Sequence, residues 1–424
     1  MSTGVRGISG EKPVKRTRSA FGEWKALHFK NAIRFARNPG VLGFVFGFPI
    51  FQIVLYFAAI GGDPTDLSIA VVNQEARYSG QNDCTEYTKG FCNDSTLSCR
   101  YLEILKASKY MEVKYAGKNL LLLHPKVRRG RAWGAVIIPE NFTKALNERI
   151  DRGIEADEEL IDNGDVQVYL DMSDQQLSTL IRRRLYADLH DLLNEIYTNC
   201  GLNPKIGTAA IKFNDPVFGV KEPTFQSFTI PAVIITTVFF LAVGLTATLL
   251  VTERTEGMWD RTMVMGITPW QLLESHLEWQ VLLICGQVFE VAILMLFVYQ
   301  VELKGSVLLL LIHMFLQGMS GMSFGFLVSI CSKHVSEANY MATGSFIPMI
   351  VTSGAMWPLE GMPRFFRYFA YCFPSTMATE SLRSIMFRGW GIEMETVYLG
   401  FVTTLAWIIF FAITCRILLV YKKL

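Results

Sequence analysis

Apolar residues are unevenly spread along this chain. Long runs with few or no charges, such as 223–252, flank a polar and mixed stretch over roughly 61–228. A bilayer core needs roughly 20 apolar residues per helix, at about 1.5 Å of rise each. Six stretches meet that need and predict spans at 38–62, 229–251, 276–301, 306–330, 338–357 and 396–418. The apolar window of the third, 279–301, contains one internal charge, Glu290. Between the first two spans the pattern changes. Alternating or β-branched runs predict strands at 67–73, 111–116, 132–139 and 166–172. Helical spacing predicts helices at 101–108, 141–150 and 175–197. The fold class read from this pattern is an α-helical polytopic membrane protein with six transmembrane helices. A large extracellular α/β domain, 63–228, is inserted between helices 1 and 2.

Residues 1–18 lack apolar periodicity and read as a disordered cytosolic tail. Over 19–37, Glu23, Lys30, Arg34 and Arg37 fall on one narrow helical face. Phe21, Trp24, Phe29, Ala32, Ile33 and Phe35 cover the broad opposite one. This predicts an amphipathic helix at the inner membrane interface, broken by Asn38-Pro39-Gly40 before the first span. The segment 358–392 is too polar to span and too apolar for an ordinary loop. It predicts two short re-entrant helices separated by prolines.

Charge sets the orientation. The first 40 residues carry nine Lys and Arg, which places the N-terminus in the cytosol, and six spans return the C-terminus there. The localisation predicted is the plasma membrane. A net charge of +2 points to no nucleic-acid partner. The side assigned to 63–228 fits two glycosylation acceptors, Asn93-Asp-Ser and Asn141-Phe-Thr. It also fits four cysteines, Cys84, Cys92, Cys99 and Cys200, read as two disulfides with the pairing open. No His cluster or CxxC spacing argues for a metal, and no catalytic constellation is legible.

The charged stretch "VTERTEGMWDR", 251–261, lies between the second and third spans, on the cytosolic side. A positively charged turn would satisfy topology. Three acids, Glu253, Glu256 and Asp260, among two arginines are more than topology asks for. Mixed charge with Met258 and Trp259 as apolar anchors suits docking to a soluble partner.

The run from 238 to 276, "VFFLAVGLTATLLVTERTEGMWDRTMVMGITPWQLLESH", resembles the second span and first cytosolic loop of type-2 ABC exporter permeases. "WPLEGMP" and "FPSTMATESLRSIMFRG" resemble their re-entrant helices. The resemblance implies that 252–270 is a coupling helix seated on a nucleotide-binding domain. Glu253, Arg254, Glu256, Gly257, Trp259 and Arg261 would carry the contact. Within that superfamily the chain is most similar to arthropod class H half-transporters, related to classes G and A. Those carry an N-terminal ATPase domain, whereas these residues contain no GxxxxGK[ST] loop. The chain is therefore expected to be a short isoform, a fragment or a permease subunit. No cofactor would be bound by the chain itself, with ATP and Mg held by a nucleotide-binding domain elsewhere.

Two intramembrane polar residues stand out. Glu290 is either a functional group or an inter-helix hydrogen-bonding group, and His313 reads as a packed polar residue. Gly318, Gly321 and Gly325 have the spacing of close helix packing within one subunit. The function expected is the transmembrane subunit of an ATP-driven exporter for a lipid or another hydrophobic substrate. It would work as a homodimer, or as a heterodimer with a related half-transporter. The alternative is a multi-pass membrane receptor or scaffold with an extracellular ligand-binding domain.

Overall fold

The computed structural model describes residues 20–60, 62–75, 84, 96–115, 127, 129–155, 157–207, 214–220 and 223–422. The 1–18 tail, Cys92 and Asn93 lie outside the described residues. The chain forms two compact units: Gly62–Asp215, and Met1–Gly61 with Pro216–Leu424.

The Gly62–Asp215 unit is built on strands β1 (Leu67–Asn73), β2 (Met111–Tyr115), β3 (Gly134–Ile138) and β4 (Gln167–Leu170) in the order β2-β1-β3-β4. β1 pairs in parallel with β2 and β3, while β4 is antiparallel to β3. A parallel strand covered on both faces reads as a continuous apolar run, and every residue of β3 is buried. The antiparallel edge strand β4 is largely exposed. One face of the sheet packs against α3 (Leu97–Ala107), α4 (Phe142–Arg152) and α6 (Gln175–Asn199). Tyr101, Leu105, Phe142, Ile181 and Leu192 form that core. The short α5, Glu158–Gly164, precedes β4. Glu75, nearly buried, accepts hydrogen bonds from the Thr143 backbone N–H and hydroxyl, each at 2.8 Å, and fixes the start of α4. Cys84 and Cys99 form a disulfide, and Cys200 is disulfide-bonded as well. The expected boundary at 228 moves to 215. Residues after Pro216 belong to the helical unit, where the Phe218 ring packs edge-on to Trp390 at 5.8 Å.

In the helical unit, α1 (Ala20–Ala36) is followed by a continuous helix α2 (Pro39–Ala59). Then come α7 (Phe225–Thr255), α8 (Met258–Val264), α9 (Pro269–Val298), α10 (Val307–Cys331), α11 (Val335–Thr352), α12 (Arg364–Tyr371), α13 (Thr376–Arg383) and α14 (Glu395–Lys422). Five of these, α2, α7, α9, α10 and α14, are long and apolar enough to cross a membrane. The sixth expected span, 338–357, falls on α11, which ends at Thr352 and is not among the five. Its 18 residues cover only about 27 Å, and Glu337, Asn339, Thr343 and Ser345 dilute its apolar character.

α10 packs closely on both α7 and α9. A Cβ on Gly318 would stand 2.6 Å from Ile284 Cγ2 of α9, one on Gly325 would stand 2.7 Å from Thr246 Cβ of α7, and one on Gly321 would meet the Phe239 carbonyl of α7. The glycine spacing is thus explained by close packing within one chain. α12 and α13 are the two short helices expected in 358–392, with Pro363 capping the first. α13 is buried along Thr376, Thr379 and Ser381. Its Ala378 carbonyl accepts from His313 Nε2 at 3.0 Å, so His313, fully buried, ties α10 to α13.

Candidate functional site

The loop after α7 is shaped by two glycines. Gly257 has φ +66 and Gly266 has φ +85, a left-handed backbone that L side chains rarely adopt. The first stops α7 and starts α8, and the second stops α8. Thr268 then opens α9 with a capping box, its hydroxyl accepting from the Gln271 N–H, and Pro269 follows at the first helical position. The stretch 252–270 is therefore the last turn of α7, a short helix and the first turn of α9.

The six residues expected to face a partner divide into two sets. Glu253 is fully buried. Its Oε1 accepts from Lys30 Nζ at 2.8 Å and Arg34 Nη1 at 3.2 Å, and its Oε2 lies 2.9 Å from His276 Nε2. Arg254 turns the other way. Its Nη2 donates to the Ser329 carbonyl at 2.5 Å and to the Ser332 carbonyl at 3.4 Å, at the end of α10. Both side chains make contacts within the chain; Glu253 presents no surface, and Arg254 is partly exposed. An unpaired buried carboxylate costs several kcal/mol, so the fold surrounds Glu253 with donors from α1 and α9. Glu256, Asp260 and Arg261 are exposed, and Glu256 also accepts from Arg34 Nη2 at 3.0 Å. Trp259 is half-buried against the span core and anchors α8 to it.

The charged stripe of α1 is turned toward the bundle rather than toward water. Lys30 and Arg34 reach Glu253, Gln271 Nε2 donates to Glu23 at 3.2 Å, and Asn31 Nδ2 donates to the Ser275 carbonyl at 3.4 Å. Trp24 Nε1 donates to Glu278 Oε2 at 2.8 Å, and His28 stands at the same distance from that oxygen. α1 thus runs along the first turns of α9. Phe21 and Phe29, on its broad apolar side, are exposed.

Residues missed by the sequence reading complete the loop surface. Val264 is 88% exposed, Met265 57% and Trp270 54%, beside the exposed Asp260 and Arg261. The available signal was three large apolar residues within a non-spanning charged loop. Lys30, Arg34 and His276, which close around Glu253, were also missed as a set.

Glu290 is partly buried, and its Oε2 has no hydrogen-bond partner among the described residues. Asn141 is exposed at the start of α4. Among the described residues no group of three His, Cys, Asp or Glu is placed to hold a metal.

Comparison with known proteins adds what geometry alone does not. The family model described as "ABC-2 family transporter protein" matches residues 39–421. "ABC transporter G family member 20" of Dictyostelium discoideum is 25% identical over 386 residues, 91% of this chain and 49% of that protein. "ABC transporter G family member 23" of the same organism is 22% identical over 364 residues, covering 85% and 47%. The chain spans about half the length of these two relatives. The "Probable multidrug ABC transporter permease YbhS" of Escherichia coli is 21% identical over 373 residues, 86% of this chain and 88% of that protein.

Proposed function

Because the chain belongs to the ABC-2 family of transporter proteins, we propose that it is the transmembrane subunit of an ATP-driven exporter. In this reading it works as a dimer with nucleotide-binding domains that hold ATP and Mg. It moves a lipid or another hydrophobic substrate across the plasma membrane, with both termini cytosolic. α11 serves as the sixth span, and the Gly62–Asp215 unit lies outside the cell. Five long apolar helices support the membrane role. The finer likeness to arthropod class H half-transporters rests on the sequence of 251–261 and of 214–225.

The observation that carries the proposal is the geometry of the loop. Its inner side is locked to the bundle by Glu253, Arg254 and Trp259, while its outer side offers Glu256, Asp260, Arg261, Val264, Met265 and Trp270. A rigidly held surface mixing charge with large apolar groups suits a docking patch, and a push on it passes directly to α7 and α9. α1, braced on the same carboxylate, would move with them.

The test is co-purification of the full chain with an ABC ATPase subunit or domain from the same cells, followed by ATP-dependent efflux of a fluorescent lipid from vesicles. Arg261→Glu and Met265→Asp should leave expression and folding unchanged, weaken co-purification by about tenfold or more, and abolish efflux. Normal efflux by both variants would remove the loop from the mechanism.

A further inference from the structure

In the Gly62–Asp215 unit, β4 is an edge strand, paired with β3 on one side only among the described residues. Tyr169 stands opposite Ala135 and Gln167 opposite Ile137, and the Asp171 N–H donates to the Trp133 carbonyl at 2.8 Å. An antiparallel ladder uses alternate residues, so the N–H and C=O groups of Val168 and Leu170 point away from β3. Among the described residues no second strand takes them. Protein sheets usually blunt such an edge with Lys, Pro, a bulge or a covering element. Gln167–Leu170 is uncharged, free of proline and continuous in register, and Val168, Tyr169 and Met172 are exposed along it.

Charge decides what pairs with this edge. Residues 151–174 hold nine acids against one base, Arg152. Arg152 pairs with Glu148 and Asp157, and Arg149 pairs with Asp165. Glu158, Glu159 and Asp162, on the α5 helix that leads into β4, are exposed and make no ion pair among the described residues. The exposed Arg129 and Arg131 precede Trp133, which stands opposite Asp171, so the acid excess is concentrated at the start of β4. A second copy of the chain would bring the same excess of acids to the contact, and like charges across an interface work against it. A basic segment meets the opposite sign.

We propose that the β4 edge docks an extended, Lys- and Arg-bearing segment of another protein, which adds to the sheet as a fifth strand. Main-chain bonds to Val168 and Leu170 supply the attachment, and alternate apolar side chains of the segment pack on Val168, Tyr169 and Met172. Its basic end lies along the acids of α5. The site belongs to the Gly62–Asp215 unit alone and holds whether or not the chain exports anything.

The experiment selects from a phage library of random peptides of about ten residues, the length of a long strand. The bait is the full chain in phosphatidylcholine nanodiscs, after depletion on empty discs. Enriched peptides should alternate apolar with polar residues and carry Lys or Arg. The most enriched peptide, synthesised with a fluorophore, should bind more weakly as salt is added. Amide exchange resolved to single residues should slow at Val168 and Leu170 on binding, while Gln167 and Tyr169, already bonded to β3, change little. Val168→Pro removes one outward N–H and leaves the β3 ladder whole, as edge strands allow. It should weaken the peptide by about three- to tenfold, the worth of one hydrogen bond. The triple change Glu158→Gln, Glu159→Gln and Asp162→Asn, which leaves the strand untouched, should weaken it by at least about threefold. Four outcomes would overturn the proposal: no enrichment over empty discs, enriched peptides without a basic bias, slowed exchange elsewhere than β4, or full binding by both variants. A fifth would replace the partner with a second copy: protection of Val168 and Leu170 that rises with protein concentration in the absence of peptide. Loss of efflux with peptide binding intact would sink the exporter reading and leave this site standing.

Discussion

Lys30 Nζ donates to Glu253 Oε1 at 2.8 Å across 223 positions of sequence, onto a carboxylate with no solvent exposure. That contact joins the helix before the first span to the last turn of the second. With Arg34 and His276 it forms a three-donor cage, and the cage holds the inner side of the charged loop while Asp260, Arg261 and Val264 on its outer side stay exposed.

Removing the carboxylate from this cage should be costly. Glu253→Ala leaves Lys30, Arg34 and His276 facing an unfilled centre, and breaking a buried pair typically costs about 3–5 kcal/mol. The expected outcome is a strong fall in folded protein by fluorescence-detected size exclusion. Glu256→Ala, which removes only the half-exposed pair with Arg34, should cost about 0–1 kcal/mol and leave the elution profile intact. Equal behaviour of the two variants would mean that the buried cage does not hold α1 in place.

The packing of α7 on α10 predicts a second sensitivity. Gly321→Leu would drive a side chain into the Phe239 backbone, which cannot yield as a flexible side chain can. Overpacking of this kind costs about 1–3 kcal/mol or more. Gly344 on α11 meets nothing within 4 Å, so Gly344→Leu is the control and should be tolerated. Thermal unfolding of the two variants in one detergent separates them.

The α/β unit should depend on oxidation. Closing the 15-residue separation between Cys84 and Cys99 is worth about 3 kcal/mol by loop entropy. Cys99→Ser should raise protease sensitivity in Gly62–Asp215 and lower surface yield. Mass spectrometry after alkylation should find Cys84 and Cys99 modified only after reduction. Ready alkylation of both in unreduced protein would show that the pair does not form.

Asp188 on α6 sets a pH dependence in the same unit. Burial, and Asp191 nearby, push its carboxyl up to about 6 from the usual 3.8, with Arg184 pulling the other way. One oxygen is buried without a hydrogen-bond partner among the described residues. The folded state therefore holds a proton that the unfolded state releases, and stability falls as pH rises from about 4 through 6. Solvent screening of a half-buried group limits the effect to about 1 kcal/mol. Hydrogen-exchange protection of α6, corrected for intrinsic rate, should be higher at pH 5 than at pH 7. Asp188→Asn should raise the pH 7 value and flatten the slope, and a slope unchanged in that variant would assign the pH dependence to another group.

Much of the architecture was legible in one dimension because it is set by local periodicity. Five apolar runs became five helices long enough to cross a bilayer. The four strands arose where alternating or β-branched runs placed them, as a side-chain period near two requires. The break between α1 and α2 was legible in Asn38-Pro39-Gly40, whereas the helix ends at Gly257, Gly266 and Thr268 emerged only with the structure. α11 was read as a full span because its apolar half dominates the window. Its length and polar first turns set it apart from the other five.

Which way a charge points was left to tertiary structure. Glu253 and Glu256 are three residues apart in the same acidic pattern, yet one is sealed and the other exposed. The difference comes from α1, more than 200 residues earlier, whose polar stripe needed acceptors and found them in the bundle rather than in water. The same is true of Gln280, one polar residue among many in sequence, which only the packing of distant elements buries almost completely. Periodicity determines which face of a helix is polar. What that face meets depends on elements distant in the chain, because burial penalties are settled pair by pair only once the chain has closed.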